Sequence, residues 1–175
     1  MKIYTDDPLV AYTTTTISAE RTMQEISMIL RQYDVADIHW HYRPEANDIY
    51  IQFGIEEVID GISVKVAAKV VCPIIWDKAK TSGYTKTRHE EIPNINVSMR
   101  AMYWYIKSHL ENAYAMQSSR VAAFLPDMMT PNGTRFFDEM KHNLDQFKAV
   151  EYKPESPREV QVIRKNITAE ANYHE

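Results

Sequence analysis

The sequence predicts an α+β fold in a single domain: a helix, a three- to four-stranded antiparallel sheet, a long helix and a short C-terminal helix. Two changes of hydrophobic period predict this order. Apolar residues recur at helical spacing from Ala19 to Tyr33, alternate with polar residues between 38 and 70, and return to helical spacing from Val97 to Gln117. The chain has 175 residues, 45% of them hydrophobic and 25% charged, which is enough to bury one core.

The first helix is the clearest element of the N-terminal part. Met23, Ile26 and Leu30 lie on one face at helical spacing. Ser18 is predicted to be the N-cap, because a serine hydroxyl can accept a hydrogen bond from a free amide of the first turn. Residues 1–17, which contain four consecutive threonines, are expected to form an arm or an edge strand that leads into this helix.

Three antiparallel strands are predicted to follow. A turn is expected at residues 43–48, and a second turn at Asp60-Gly61, where glycine suits the tight connection of a hairpin. The apolar positions that alternate with polar ones are Ile38, Trp40 and Tyr42 in the first strand, Ile49, Ile51 and Phe53 in the second, and Ile62, Val64, Val66, Ala68 and Val70 in the third.

The second half of the chain has less regular patterning. Residues 76–96 show no periodicity and predict a long exposed loop, the kind of segment that often carries function. Beyond the long helix, the apolar residues between Phe136 and Phe147 predict a short third helix. The predicted domain therefore covers residues 1–150, and residues 151–175 form a polar tail.

Composition excludes several classes of protein. The single cysteine, Cys72, excludes an intrachain disulfide framework and a zinc site of several thiolates, and a buried thiol is expected there. No apolar run is long enough to cross a membrane, and residues 1–8 do not resemble a signal peptide. We therefore expect a cytoplasmic protein with no membrane contact.

Charge is unevenly distributed along the chain. The net charge is −4, yet residues 61–110 carry eight basic and only three acidic side chains. A protein that is acidic as a whole repels polyanions, so any binding of nucleic acid must come from one focused basic patch.

Two groups of residues are the candidate binding site. An aromatic ring among cations suits a protein surface or a platform that stacks a base. The alternatives are an ordinary solvated loop and a helix stabilised by pairing of Lys107 with Glu111, in which Trp104 shields its neighbours. The candidates are Lys78, Lys80, Tyr84, Lys86 and Arg88 of the predicted loop, and Arg100, Trp104 and Lys107 of the long helix. The three helix residues are predicted to form, with Glu111, one exposed stripe in which Trp104 lies between two cations.

The chain offers one candidate metal-binding pair. His39 and His41 are predicted to project from the same face of a strand, where they would present two nitrogen ligands. His89 or an acidic residue would have to supply a third ligand. The alternative is that both histidines line the solvent-facing side of the sheet. No complete catalytic set is found, and neither a metal nor a cofactor is predicted.

Three motifs follow one another along the chain. They are residues 18–26 with Leu30 and Tyr33, then Arg100-Ala101, Ile106-Lys107 and Leu110-Glu111, and finally residues 124–129 with 131–134. Their order resembles that of a family of uncharacterised proteins encoded by bacteriophages and prophages. The resemblance implies a mobile-element setting, with the protein acting in the host cytoplasm, and no particular chemistry.

The sequence thus favours a non-enzymatic accessory protein that binds a protein or a nucleic acid through the 76–96 loop and the second long helix. The class of partner stays open. A homo-oligomer is also compatible with the nine methionines and eleven tyrosines, since both residue types serve interfaces as well as cores. The alternative function is a small metal-dependent hydrolase or nuclease that uses His39 and His41.

Overall fold

The computed structural model describes residues 2–82 and 87–142, and it confirms the α+β class. No helix in this part of the chain is long and apolar enough to cross a membrane. In chain order the elements are β1 (Ile3–Tyr4), α1 (Ala19–Gln32), β2 (Ala36–Arg43), β3 (Asp48–Ile59), β4 (Ile62–Val71), β5 (Ile75–Ser82), β6 (Thr87–Pro93), α2 (Ile95–Ala115), α3 (Arg120–Ala123) and α4 (Phe136–His142), with 3₁₀ turns at Pro44–Ala46 and Leu125–Asp127.

The predicted three-stranded antiparallel sheet is present, in the order β2-β3-β4. The β3–β4 turn consists of Asp60 and Gly61, with φ of 51° and 81°, between the paired residues Ile59 and Ile62. Positive φ at both central residues is the type I′ geometry, whose twist matches that of the strands. The turn therefore sets the register of the whole β3–β4 pair.

The core lies between this sheet and the two long helices. Every second residue of β3 from Ile49 to Ile55 points inward and is buried, as are Ile26 and Leu30 of α1 and Ile106 of α2. The predicted cap is also confirmed, because the Ser18 hydroxyl accepts a hydrogen bond from the Arg21 amide at 3.2 Å. The helical spacing of the apolar residues and the Ser18 cap therefore predict correctly where α1 begins and which face it buries.

Both long helices end in a Schellman motif without glycine. Asp34, after α1, has a left-handed φ of 55°, and Gln117, after α2, has a left-handed φ of 51°. A non-glycine residue is strained in this region, because its Cβ approaches the following carbonyl. The closing hydrogen bonds run from the Val35 amide to the Leu30 carbonyl at 3.0 Å and from the Ser118 amide to the Ala113 carbonyl at 2.9 Å.

Replacing Gln117 by glycine should stabilise the protein. We expect Gln117→Gly to raise the free energy of unfolding by about 1 kcal/mol, because glycine adopts the left-handed conformation without strain. Urea denaturation measures the change. Gln117→Ala is the control: it also removes the side chain but keeps the strain, so a gain of equal size in Gln117→Ala would contradict the explanation.

The prediction of an exposed loop at residues 76–96 is wrong. Residues 75–82 and 87–93 form the antiparallel strands β5 and β6, and β1 adds a parallel strand on the other side of β5. Neither face of the β5–β6 pair is consistently apolar: Lys78 lies opposite Glu91 on one face, and Ala79 lies opposite Glu90 on the other. The hydrophobic alternation that reveals a half-buried strand is therefore absent from this segment.

The segment after α2 is anchored by buried polar contacts. The carboxylate of Asp127, which is buried, accepts a hydrogen bond from the Tyr105 hydroxyl at 2.5 Å and lies 3.7 Å from the Arg135 guanidinium. The backbone next to it bridges to β4, where the Met129 amide donates to the Ala67 carbonyl at 2.8 Å. This segment therefore covers part of the outer edge of β4.

The carboxylate of Glu57 on β3 caps the short helix α3. It accepts hydrogen bonds from the Ser119 hydroxyl at 2.6 Å and from the amides of Arg120 and Val121 at 3.3 Å each. Burial by itself would raise the pKa of Glu57, but these hydrogen bonds lower it below the usual value of 4.5. The contact joins the start of α3 to the sheet.

The stabilisation by Glu57 should depend on pH. A carboxyl group with a lowered pKa in the folded state stabilises the protein above its unfolded-state pKa, near 4.5, and loses this effect as pH falls through the folded-state pKa. We expect Glu57→Gln to lower the unfolding free energy by about 1 kcal/mol at pH 7, and by progressively less below pH 4.5.

Urea denaturation across the acid range checks this dependence. Glu56→Gln is the matched control, because the neighbouring Glu56 side chain is exposed and makes no hydrogen bond to α3 in the described part of the chain. A destabilisation of Glu57→Gln that stays constant with pH would mean that the charge of Glu57 does not contribute.

The predicted C-terminal helix is present as α4, from Phe136 to His142. Leu144 and Phe147, which were assigned to the same helix, lie outside the described residues, and so does the predicted polar tail from residue 151.

Candidate functional site

Of the basic residues predicted at 76–96, Lys78 and Lys80 lie on β5 and Arg88 lies on β6. Lys78 is exposed on β5, and its Nζ lies 2.9 Å from Asp6 Oδ2 and 4.5 Å from the centre of the Tyr4 ring. Lys80 and Arg88 occupy strand positions, but their side chains lie outside the described part of the structure. Tyr84 and Lys86 lie outside it altogether. Only Lys78 of this group can therefore be placed, and its charge is already balanced.

The same face of the small sheet carries a second neutralised cation. Lys2 Nζ lies 2.5 Å from Glu91 Oε2 and 4.1 Å from the centre of the Trp76 ring. The Tyr4 hydroxyl donates to the other oxygen of Glu91 at 2.7 Å. A phosphate would have to displace these carboxylates, so the described part of this face is not a preformed basic patch.

Arg100 is not part of an exposed stripe, contrary to the prediction. It is 8% exposed; its guanidinium lies 2.5 Å from Glu25 Oε2 on α1 and 4.3 Å from the centre of the Tyr103 ring. The hydrogen bond from Arg100 lowers the pKa of Glu25. A helix seen in isolation would expose this residue, but α2 packs against α1 on this side.

Trp104 is half-buried rather than exposed, so the predicted exposure is wrong, while its predicted role in binding stays a prediction. Its ring stacks on Tyr12 of the N-terminal arm, with centroids 5.3 Å apart and planes at 10°. Lys107 Nζ lies 4.9 Å from the centre of the Trp104 ring and 3.4 Å from Glu111 Oε1. The alternative expectation, that Lys107 pairs with Glu111, is confirmed.

Removing Arg100 should affect stability through Glu25. We expect Arg100→Ala to lower the unfolding free energy by about 2 kcal/mol, because the half-buried carboxylate of Glu25 loses its main partner. Chemical denaturation measures the change. Arg21→Ala is the matched control: Arg21 contacts the same carboxylate at 3.3 Å from an exposed position, so its loss should cost less than about 0.5 kcal/mol. Equal losses in the two variants would refute the assignment.

His39 and His41 lie on the outward face of β2, opposite Gln52 and Tyr50 of β3. His41 Nε2 is 2.7 Å from Asp48 Oδ2, and its ring stacks on Tyr50 with centroids 4.5 Å apart. Among the described side chains, no group of three histidines, cysteines or carboxylates comes close enough to hold a metal ion. His89, the predicted third ligand, has a side chain outside that set.

Cys72 is a buried thiol, as expected. Its Sγ lies 3.8 Å from Met99 Sδ, and burial raises its pKa to about 12. A thiol that stays protonated at neutral pH is a poor nucleophile, so Cys72 serves the core.

The sequence did not reveal a groove between α1 and β2. It has a volume of about 660 Å³, and Met28 on its wall is 60% exposed. The Trp40 indole donates a hydrogen bond to the Ser27 hydroxyl at 3.0 Å, which links the two walls. The lining residues are Glu20, Met23, Gln24, Ser27, Met28 and Arg31 of α1 and Trp40 and Tyr42 of β2.

This α1–β2 groove lies beside an open strand edge. Among the strands of the described structure β2 pairs with β3 alone, whereas the outer edge of β4 is met by the bridge from Ala68 to Met128. An unpaired edge presents free backbone amides and carbonyls to another strand. The groove therefore combines apolar side chains with unpaired main-chain groups of the described structure.

The two ends of the groove carry opposite charges. Burial is the main cause that raises the pKa of the Tyr42 hydroxyl at one end, and the nearby carboxylate of Glu20 raises it further. Arg31 lies at the other end, and neither Glu20 nor Arg31 forms an ion pair within the described residues. The two are separated on α1 by about 16 Å, the length of about five residues of an extended strand.

A second cavity of about 660 Å³ lies where the ends of α1 and α2 meet β3 and α3. Two of its three charged lining residues, Glu57 and Arg120, already have structural partners. Glu57 caps α3, and the Arg120 guanidinium donates to the carbonyl of Tyr33 and, at 3.0 Å, to that of Glu56. The α1–β2 groove is the better candidate for a binding site, because neither of its end charges forms an ion pair within the described residues and exposed apolar surface lies between them.

Comparison of the chain with known protein families, with curated proteins and with solved structures gives no match in any of the three. The assignment of function therefore rests on the geometry.

Proposed function

We propose that this protein is a non-enzymatic binding module that recognises an extended segment of a protein partner in the α1–β2 groove. The observation that carries the proposal is the apolar groove beside the unpaired edge of β2. In this mode of recognition a peptide adds a strand to the sheet, and its alternate side chains enter the groove. The main chain supplies affinity, and the groove supplies specificity.

The charges of the groove define the segment further. A basic residue is favoured at the end near Glu20, and an acidic residue at the end near Arg31, about five positions away. Between them, apolar residues at alternate positions would contact Met28 and Trp40, whose exposed surface they would bury.

A protein partner is favoured over a nucleic acid. The cations near the predicted basic surface that can be placed, Lys2, Lys78 and Arg100, are all paired with carboxylates, and the chain carries a net charge of −4. Nucleic-acid affinity depends on cations that are free to replace counterions at phosphates. The phage-like setting, the host-cytoplasmic location and a homo-oligomeric state stay predictions.

The surface predicted from the sequence, at residues 76–96 and on α2, is a further contact that the same partner could make. The alternative of a metal-dependent hydrolase gains no support from the described side chains, since His41 is bonded to Asp48 and no third ligand stands beside the pair.

Selection from a yeast-displayed library of random twelve-residue peptides tests the proposed groove. We expect the selected peptides to share alternating apolar residues flanked by a basic and an acidic residue. We expect Met28→Glu to weaken their binding at least tenfold, because it places a charge against the apolar groove. Fluorescence anisotropy with a selected peptide measures the affinity.

Met116→Glu is the matched control, because Met116 is 81% exposed and lies outside the α1–β2 groove. Peptides that bind Met28→Glu as tightly as they bind the unmodified protein would place recognition elsewhere.

A second experiment measures binding of fluorescent single- and double-stranded DNA and RNA at low and physiological salt. Salt-sensitive binding that Lys78→Ala and Lys80→Ala weaken would assign the partner to nucleic acid.

A further inference from the structure

The N-terminal arm places one aromatic ring over α2, away from the α1–β2 groove. Tyr12 stacks in parallel on Trp104, yet it remains 43% exposed and has a φ of 65°. A bulky residue is strained in the left-handed region. The stacking contact therefore holds Tyr12 in a conformation that this residue disfavours.

The rest of the arm is weakly attached. The hydrogen bonds of residues 8–17 are local, from the Val10 amide to the Asp7 carbonyl and from the Thr15 amide to the Tyr12 carbonyl. Within the described structure, no hydrogen bond joins residues 8–17 to α2. A segment without long-range hydrogen bonds in the described structure opens at low cost compared with the core.

The indole N–H of Trp104 has no hydrogen-bond partner in the described structure. Its nitrogen, Nε1, is buried. Such a donor disfavours the closed state, because the water that it bonded in the open state has not been replaced. Tyr12 thus fills the stacking position but leaves the donor unpaired.

The side chains around Trp104 complete a site for an aromatic group. Tyr103 meets the indole edge-on, with centroids 5.3 Å apart, and Lys107 Nζ lies 4.9 Å from the ring centre. A planar ring on the open face would replace the Tyr12 stack, and a carbonyl beside it would satisfy the indole N–H. This is the chemistry of an aromatic residue in a peptide.

We propose that Trp104 forms a second binding site, for an aromatic side chain of a protein partner, and that Tyr12 occupies this site until the arm lifts. Tyr12 is then an internal competitor of the partner. The site is separate from the α1–β2 groove, so either assignment can fail without the other.

Indole proton exchange measured by NMR tests whether Tyr12 covers Trp104. The Trp104 resonance is identified by its loss in Trp104→Phe. We expect at least tenfold faster exchange of this proton in Tyr12→Asn, since asparagine tolerates the left-handed backbone but removes the ring. Tyr12→Phe, which retains the ring, should stay within twofold of the unmodified protein. The Trp40 indole proton, bonded to Ser27, serves as the internal reference. Unchanged exchange of the Trp104 proton in Tyr12→Asn would overturn the proposal.

Titration with N-acetyl-L-tyrosinamide tests the vacated site, because this probe combines a tyrosine ring with carbonyl acceptors. We expect it to shift the Trp104 indole resonance of Tyr12→Asn with a Kd at least tenfold lower than for the unmodified protein. Absence of a shift, or equal affinity for both proteins, would show that Trp104 is a covered core residue without a ligand.

Discussion

The burial of β3 beneath two helices is the constraint on which the rest of the structure depends. Its inward residues, from Ile49 to Ile55, are fully enclosed, and this requires α1 and α2 to lie side by side on one face of the sheet. The ion pair between Arg100 and Glu25 joins those helices at their polar boundary. Because α1 packs over the inner face, it leaves the outer side of Trp40 and Tyr42 only partly covered, and that gap is the α1–β2 groove.

The two proposed surfaces differ in how they are kept available. The groove is open in the described structure because none of residues 2–82 and 87–142 pairs with the outer side of β2, whereas β4 is partly covered by the segment that Asp127 anchors. The Trp104 surface is closed by a ring from the arm, at the cost of a strained backbone and an unpaired donor. In our proposal the groove therefore binds without rearrangement of the described residues, whereas the Trp104 surface requires a conformational change of the arm.

Candidate site residues were predictable only where local spacing decides the contact. Lys107 pairs with Glu111 because residues four apart on a helix are neighbours, and His39 and His41 share a face because strand residues alternate. Arg100 and Trp104 have the same helical spacing as an exposed stripe, but a partner from a distant segment buries each of them. Sequence spacing contains no information about such partners. The binding roles stay predictions for all eight candidates, Lys78, Lys80, Tyr84, Lys86, Arg88, Arg100, Trp104 and Lys107.

By itself the sequence determined the period and bounds of α1, the three strands of the larger sheet, the Ser18 cap and the turn at Asp60-Gly61. Each of these follows from contacts within one helix, one hairpin or one turn, which the order of residue types specifies. The tertiary structure alone decided the second sheet, because its strands lack an apolar face and β1 joins β5 from a distant part of the chain. It also decided which strand edge stays unpaired and which aromatic ring is covered, since both depend on how separate segments pack together.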